Sequence, residues 1–167
     1  GLSPCTPVPN LPVTIETANG VPWSPKEAGK VEQNGEMHPL SWGLARSRNN
    51  YSAWIMKQAK QPQAVANFIH NMGIHSYIDP VPALCLGTSE SNVYEMVSAF
   101  STFANEGVYT TPIFVTRIED RQGNLIASFA PRTQDAISEH TAYTMLTMLE
   151  GVIHSGTGGR LGWAYNM

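Results

Sequence analysis

Apolar residues recur at helical spacing in five stretches of this chain, and turn-forming residues separate them. The first two, Leu40 to Arg46 and Tyr51 to Lys60, are interrupted by a polar tripeptide, Ser47-Arg48-Asn49. Pro62 fits the first position of a third helix, because its fixed φ suits that site and its missing N–H is not needed there. Val65, Phe68, Ile69 and Met72 then follow at i, i+3, i+4 and i+7, up to a natural stop at Gly73. The fourth helix carries the fullest signals: Asn92 as N-cap, Glu95 three residues on in a capping-box-like start, and Gly107 as the stop. Val93, Met96, Val97, Phe100, Phe103 and Ala104 share one of its faces, which is expected to be core. Burial of the large side chains there, at ~1.5–3 kcal/mol each, gives on the order of 10 kcal/mol before entropy. Ser138 opens a fifth helix, with Ala142, Met145, Leu146, Leu149, Val152 and Ile153 repeating the period.

The remaining stretches read as extended chain and turns. Gly1 to Pro39 is rich in Pro, Gly and Asn, with one alternating piece, Val13 to Thr17, and Trp23 as an anchor. Asp79-Pro80-Val81-Pro82 forbids a regular helix between Ile74 and Gly87. Ile113 to Glu119 and Leu125 to Phe129 read as short strands around a loop, Asp120 to Asn124, whose Gly123 allows a positive φ. Glu119 and Asp120 do not form a working carboxylate pair, since adjacent strand residues point to opposite faces. Ser155 to Leu161 is a Gly-rich turn leading toward a further strand.

Composition narrows the class. The chain has 167 residues, enough for one domain with a real core, and its charged fraction of 14% lies well under the roughly 25% of ordinary domains. A net charge of -3 gives no basic stripe for nucleic acid. No run approaches the roughly 18 apolar residues of a membrane span, and Gly1-Leu2-Ser3-Pro4 is not a signal peptide, so any anchor is expected outside these residues. Cys5 and Cys85 either pair in an oxidising compartment or stay as two thiols; spacing alone does not decide. The five histidines form no HExxH and the cysteines no CxxC, so neither a metal nor another cofactor is expected.

Chemistry concentrates at the break between the first two helices. Ser47 and Asn49 stand two residues apart, a hydroxyl able to relay a proton beside a carboxamide that both donates and accepts. That is equipment for handling a peptide carbonyl. The competing reading is that one of them caps the second helix, a common use of both residue types.

A wider resemblance bears on that choice. SPCTPVPNLPVTI, GVPWSPKE, LARSRNN, ALCLGTSESNVYEMVSAFSTFANEGVYTTPIFVTRIEDRQGNLI and TAYTMLTMLEGVIHSGTGGRL, in this order, resemble the transpeptidase domain of class A penicillin-binding proteins over nearly the whole chain. Ser47-Arg48-Asn49 matches the family's S-x-N element, one of three motifs lining the active site. The resemblance implies a serine D,D-transpeptidase that cross-links peptidoglycan stem peptides through an acyl-enzyme and is a target of β-lactams. It implies Ser47 as a proton-relay group, Asn49 as holder of the donor peptide amide or a β-lactam acyl-amide, and Arg48 as a rim residue. It further implies a bacterial envelope location, on the extracytoplasmic face of the membrane, with an anchor and a glycosyltransferase domain upstream.

The chain also departs from the family pattern. The residues three before Lys26, Lys30, Lys57 and Lys60 are Trp23, Glu27, Trp54 and Lys57, so there is no SxxK. No lysine is followed by Thr-Gly or Ser-Gly, so there is no KTG. The expectation is therefore a central fragment with one of three catalytic elements, inactive alone, lying between the nucleophile helix and the KTG strand. Its fold class is α+β: the largely helical lobe of a penicillin-binding transpeptidase or serine β-lactamase-like fold, with a small hairpin and most of the main antiparallel sheet missing. The expected segments are an extended 1–39, a helical 40–107 carrying S-x-N, a hairpin within 108–130, a long helix over 138–154, and a lead-in to the KTG strand over 155–167. Apolar surface left by the missing sheet is expected to promote self-association. Two other readings remain open, a non-catalytic wall-binding or scaffold homologue and an unrelated helical interaction module.

Overall fold

The computed structural model describes residues 1–17 and 19–165. Its elements run β1 (Pro7–Pro9), β2 (Met37–Pro39), α1 (Leu40–Ala45), α2 (Asn49–Ala59), α3 (Pro62–Asn71), a 3-10 turn (Pro82–Leu86), α4 (Val93–Ala104), β3 (Val108–Thr110), β4 (Arg117–Glu119), β5 (Leu125–Ser128), β6 (Thr133–Asp135), α5 (Glu139–Ser155) and α6 (Gly159–Tyr165). The strands form three separate antiparallel pairs, β1 with β2, β3 with β6 and β4 with β5. A mostly helical lobe with small sheets is thus the architecture expected from the sequence.

Several local signals act as their chemistry predicts. Pro62 opens α3, and Gly73 follows its end at φ 95°. The Asn92 side chain accepts the Glu95 N–H at 2.9 Å, and the Ser138 hydroxyl accepts the Thr141 N–H at 3.2 Å, capping α4 and α5. Gly123 sits at φ 85° in the β4–β5 loop. Asp120 accepts hydrogen bonds there from Gln122 and Asn124, which lower its pKa, with the Asn124 side chain the largest cause.

Two cores hold the lobe. One gathers Met56, Ala66, Met72, Ile74, Ile78, Leu84 and Ala99, with Val65, Ile69, Phe103 and Cys85 packed at its edge. The other gathers Val8, Leu40 and Tyr51 beneath Trp42 and Trp54. Cys5 and Cys85 are both free thiols, and burial pushes Cys85 up to about 11.

The structure corrects the reading of α4. Its apolar face is not core: Val93 is 79% exposed, Val97 59% and Phe100 51%, with Met96 also exposed and Phe103 alone of the large residues turned to the first core. Glu95, Ser98, Ala99 and Thr102 are buried instead. These residues are mostly small, which permits close packing on α5 and β3. The hydroxyls of Ser98 and Thr102 bring their own acceptors inward by donating to the Tyr94 and Ser98 carbonyls at 2.7 and 3.3 Å.

Glu95 also departs from the capping-box role. Its carboxylate accepts the His75 and Ser76 N–H groups at 2.9 and 3.0 Å and the hydroxyls of Ser76 and Ser91 at 2.5 and 3.1 Å. The Ser76 hydroxyl first, then the His75 N–H and the Ser91 hydroxyl, outweigh burial and hold Glu95 at about 2.

Four further differences follow. The strand expected over Ile113–Glu119 shortens to β4, and β3, inside the expected hairpin segment, pairs with β6, which lies beyond it. Phe68 on α3 is exposed, and Ala66 takes the core position. The expected strand lead-in over 155–167 is a turn followed by α6, while residues 166 and 167 lie outside the described ones. A helix satisfies its own backbone groups, whereas a strand needs a neighbour.

Candidate functional site

The break between α1 and α2 is built from both sides. The Arg48 N–H bonds the Gly43 carbonyl at 2.9 Å and the Ser47 N–H bonds the Leu44 carbonyl at 3.0 Å, the paired closure of a Schellman motif. In that motif the residue between cap and exit adopts the left-handed conformation, which glycine takes most cheaply. Here it is Ser47, at φ 52°. A β-carbon is thus held where the backbone disfavours one, and its hydroxyl is presented at an exposed position.

Behind the break, α1 and α2 approach closely because Gly43 leaves room for a ring. A Cβ on Gly43 would sit 2.2 Å from Tyr51 Cδ1. The buried Tyr51 hydroxyl donates to the Val8 carbonyl at 3.1 Å, and burial is the largest of the causes raising its pKa. Trp42 lies between partners: its ring stacks on His38 with centroids 4.0 Å apart, and the Arg48 guanidinium carbon stands 5.2 Å from its centroid. Arg48, expected only at the rim, thus packs on an aromatic face, with Nε buried.

The N-terminus of α2 is not capped by the tripeptide. Arg48 is the N-cap residue and makes no side-chain cap. The Glu27 carboxylate serves the helix instead, Oε2 accepting the Asn49 N–H at 3.2 Å and Oε1 the Asn50 N–H at 2.9 Å. The Asn49 side chain is held by the neighbouring residue, its Nδ2 donating to the Lys26 carbonyl at 2.7 Å. A carbonyl only accepts, so this contact fixes which end of the carboxamide is which and leaves Oδ1 turned elsewhere. Neither Ser47 nor Asn49 is used as a cap, which the sequence alone left open.

The Gly-rich turn after α5 closes on the same break. The Thr157 N–H donates to the Ala45 carbonyl at 2.9 Å, at the last residue of α1. Gly156 lies so close that a Cβ there would stand 2.2 Å from the Ala45 oxygen and 2.8 Å from the Val152 oxygen. Residues over a hundred positions apart therefore meet beside Ser47. Lys26, Glu27, Gly156 and Trp42 were given no site role by the sequence reading. A helix start lacking a side-chain cap signals that some acceptor is needed, but not where along the chain it lies.

Among the described residues no cluster of His, Cys, Asp and Glu is placed to hold a metal ion. Among the same residues no helix is long and apolar enough to cross a membrane. The break thus leaves Ser47 exposed, two residues from an Asn49 carboxamide oriented by the Lys26 carbonyl.

Comparison with known proteins gives this chain a family. Residues 83–166 match the family model described as penicillin binding protein transpeptidase domain, about half of the chain. Penicillin-binding protein 1B of Haemophilus influenzae is 28% identical over 152 residues, which is 91% of this chain and 19% of that protein. Penicillin-binding protein 1F of Bacillus subtilis is 38% identical over 120 residues, 71% of this chain and 16% of that protein. The chain thus spans about a fifth of the length of the curated relatives it matches. Among solved structures, penicillin-binding protein 1A of Haemophilus influenzae superposes with a TM-score of 0.83 at 21% identity, covering 98% of this chain and 30% of that one. The chain belongs to the penicillin-binding protein transpeptidase domain family.

Proposed function

We propose that this chain supplies the S-x-N element of a serine-type D,D-transpeptidase that cross-links peptidoglycan stem peptides. The observation that carries the reading is the division of labour at the break. Glu27 caps α2, which leaves the Ser47 hydroxyl outside the cap, on a strained left-handed residue, beside an Asn49 carboxamide of fixed orientation. In this reading Ser47 passes a proton toward the leaving amine. Asn49 holds the backbone amide of the donor peptide, or the acyl-amide of a β-lactam. Arg48 lines the rim from its seat over Trp42.

The attacking serine and its lysine are not among these 167 residues, which hold no SxxK and no KTG. The chemistry therefore needs further chain: an SxxK serine to form the acyl-enzyme, and a KTG strand to complete the site. Positioning groups left in place do not replace a missing nucleophile. The parent protein acts at the extracytoplasmic face of the bacterial membrane and pairs this domain with a glycosyltransferase. The exposed apolar face of α4 is covered in the parent and drives self-association of the isolated chain.

The test is labelling with a fluorescent penicillin. The parent protein takes up label at one serine, and the 167-residue chain takes up none. A stoichiometric penicillin adduct on this chain overturns the assignment, and so does a parent without SxxK or KTG.

A further inference from the structure

We propose that Glu27 is a positioning residue for the S-x-N element, acting through the first turn of α2 and not by touching substrate. The inference rests on the reading of Ser47 and Asn49 given above. It adds a residue from a stretch with no active-site motif, 20 positions before the element.

The first N–H groups of any helix have no partner within it, and in α2 no side chain of the break fills that need. Glu27 fills it with both carboxylate oxygens, one to each of two successive N–H groups, Asn49 and Asn50. A carboxylate at a helix N-terminus also meets the positive end of the helix dipole, so the contact is favourable in charge as well as geometry. The adjacent Lys26 carbonyl takes Asn49 Nδ2. Two consecutive residues thus grip the backbone and the side chain of the same asparagine.

The same N-terminal segment is itself anchored. The Ser24 hydroxyl donates to the Val13 carbonyl at 2.7 Å, and the Val13 N–H donates to Oδ1 of the buried Asn50 at 3.3 Å. Residues 13, 24, 26, 27, 49 and 50 form one connected patch. If Glu27 lets go, the first turn of α2 loses its acceptor and the Asn49 carboxamide loses a fixed orientation. A functional amide displaced by about 1 Å costs on the order of 100-fold in rate.

Glutamine offers one acceptor oxygen where glutamate offers two, so Glu27→Gln keeps part of the grip and Glu27→Ala keeps none. In the parent protein, acylation by a fluorescent penicillin falls on the order of 10-fold or more in Glu27→Ala and by less in Glu27→Gln. In the Asn49→Ala background the Glu27→Ala change adds almost nothing, because the group it orients is gone. Hydrogen exchange on the same proteins shows the Asn49 and Asn50 amides speeding up while the core helices hold.

Additive losses in the double variant overturn the inference, since a merely structural role lowers activity whether or not Asn49 is present. Wild-type acylation in both Glu27 variants overturns it as well. If Glu27→Ala does not fold, Glu27→Gln decides: unchanged acylation and unchanged exchange at Asn49 and Asn50 sink the proposal. Failure of the underlying functional reading looks different, because there Asn49→Ala itself leaves acylation unchanged.

Discussion

Replacing Ser47 with glycine should make the fold more stable while destroying the activity proposed for it. Ser47 closes the Schellman motif at φ 52°, a conformation costing a residue with a β-carbon ~1–2 kcal/mol. Glycine removes that strain but gives back about 0.5–1 kcal/mol through the greater freedom of its unfolded chain. The exposed hydroxyl leaves little packing to lose. The balance is a gain centred on about 0.75 kcal/mol, which for a chain of this size raises Tm by about 1.5–3 °C. Ser47→Ala keeps the β-carbon and so keeps the strain; its stability stays within about 0.5 kcal/mol of wild type. Thermal unfolding followed by circular dichroism on the three proteins reads the difference. Equal stability of the Gly and Ala variants, or a Gly variant less stable than wild type, refutes the claim that Ser47 is held at an energetic cost.

Gly156→Ala drives a methyl into the Ala45 and Val152 carbonyl oxygens, backbone atoms that cannot rotate away, and overpacking of this kind costs about 1–3 kcal/mol; a lowered Tm checks it. Glu95, held at about 2 by its hydrogen bonds, lies below the ordinary glutamate value near 4.5, so the stability it contributes is complete above pH ~4.5 and fades as pH falls toward 2. Glu95→Gln accordingly lowers Tm at neutral pH and flattens the acid limb of a Tm-against-pH curve; an unchanged limb contradicts the role given to Ser76 and His75. Light scattering on the isolated chain shows mass rising with concentration, reduced by the double change Val97→Glu and Phe100→Glu; a clean monomer throughout counts against an adhesive α4 face.

What the sequence could reveal was whatever depended on neighbours along the chain. Pro62, Gly73 and Gly123 act through their own φ, and Asn92 and Ser138 through an N–H three residues on, and each does what its chemistry implies. The α4 face failed because periodicity tells which residues share a side and not which side faces inward. Ser98 and Thr102 can occupy the inner position because their hydroxyls are satisfied within the helix. Glu95 misled for a similar reason: a carboxylate beside a helix start fits a capping box, but the unsatisfied N–H groups of the 75–76 turn lay within reach of it. At the site, Ser47 and Asn49 were visible as a chemical pair. Their supports were not, because Glu27 and Gly156 reach the break only through the tertiary fold.

The central claim, that Ser47 and Asn49 belong to a penicillin-reactive centre, is tested most directly by the acylation rate of the parent protein with a fluorescent penicillin, for wild type, Ser47→Ala and Asn49→Ala at matched thermal stability. Loss of a proton-transfer or amide-holding group predicts a fall of about 100-fold or more in each variant. Acylation at the wild-type rate in both variants would contradict the account and return the tripeptide to a structural turn.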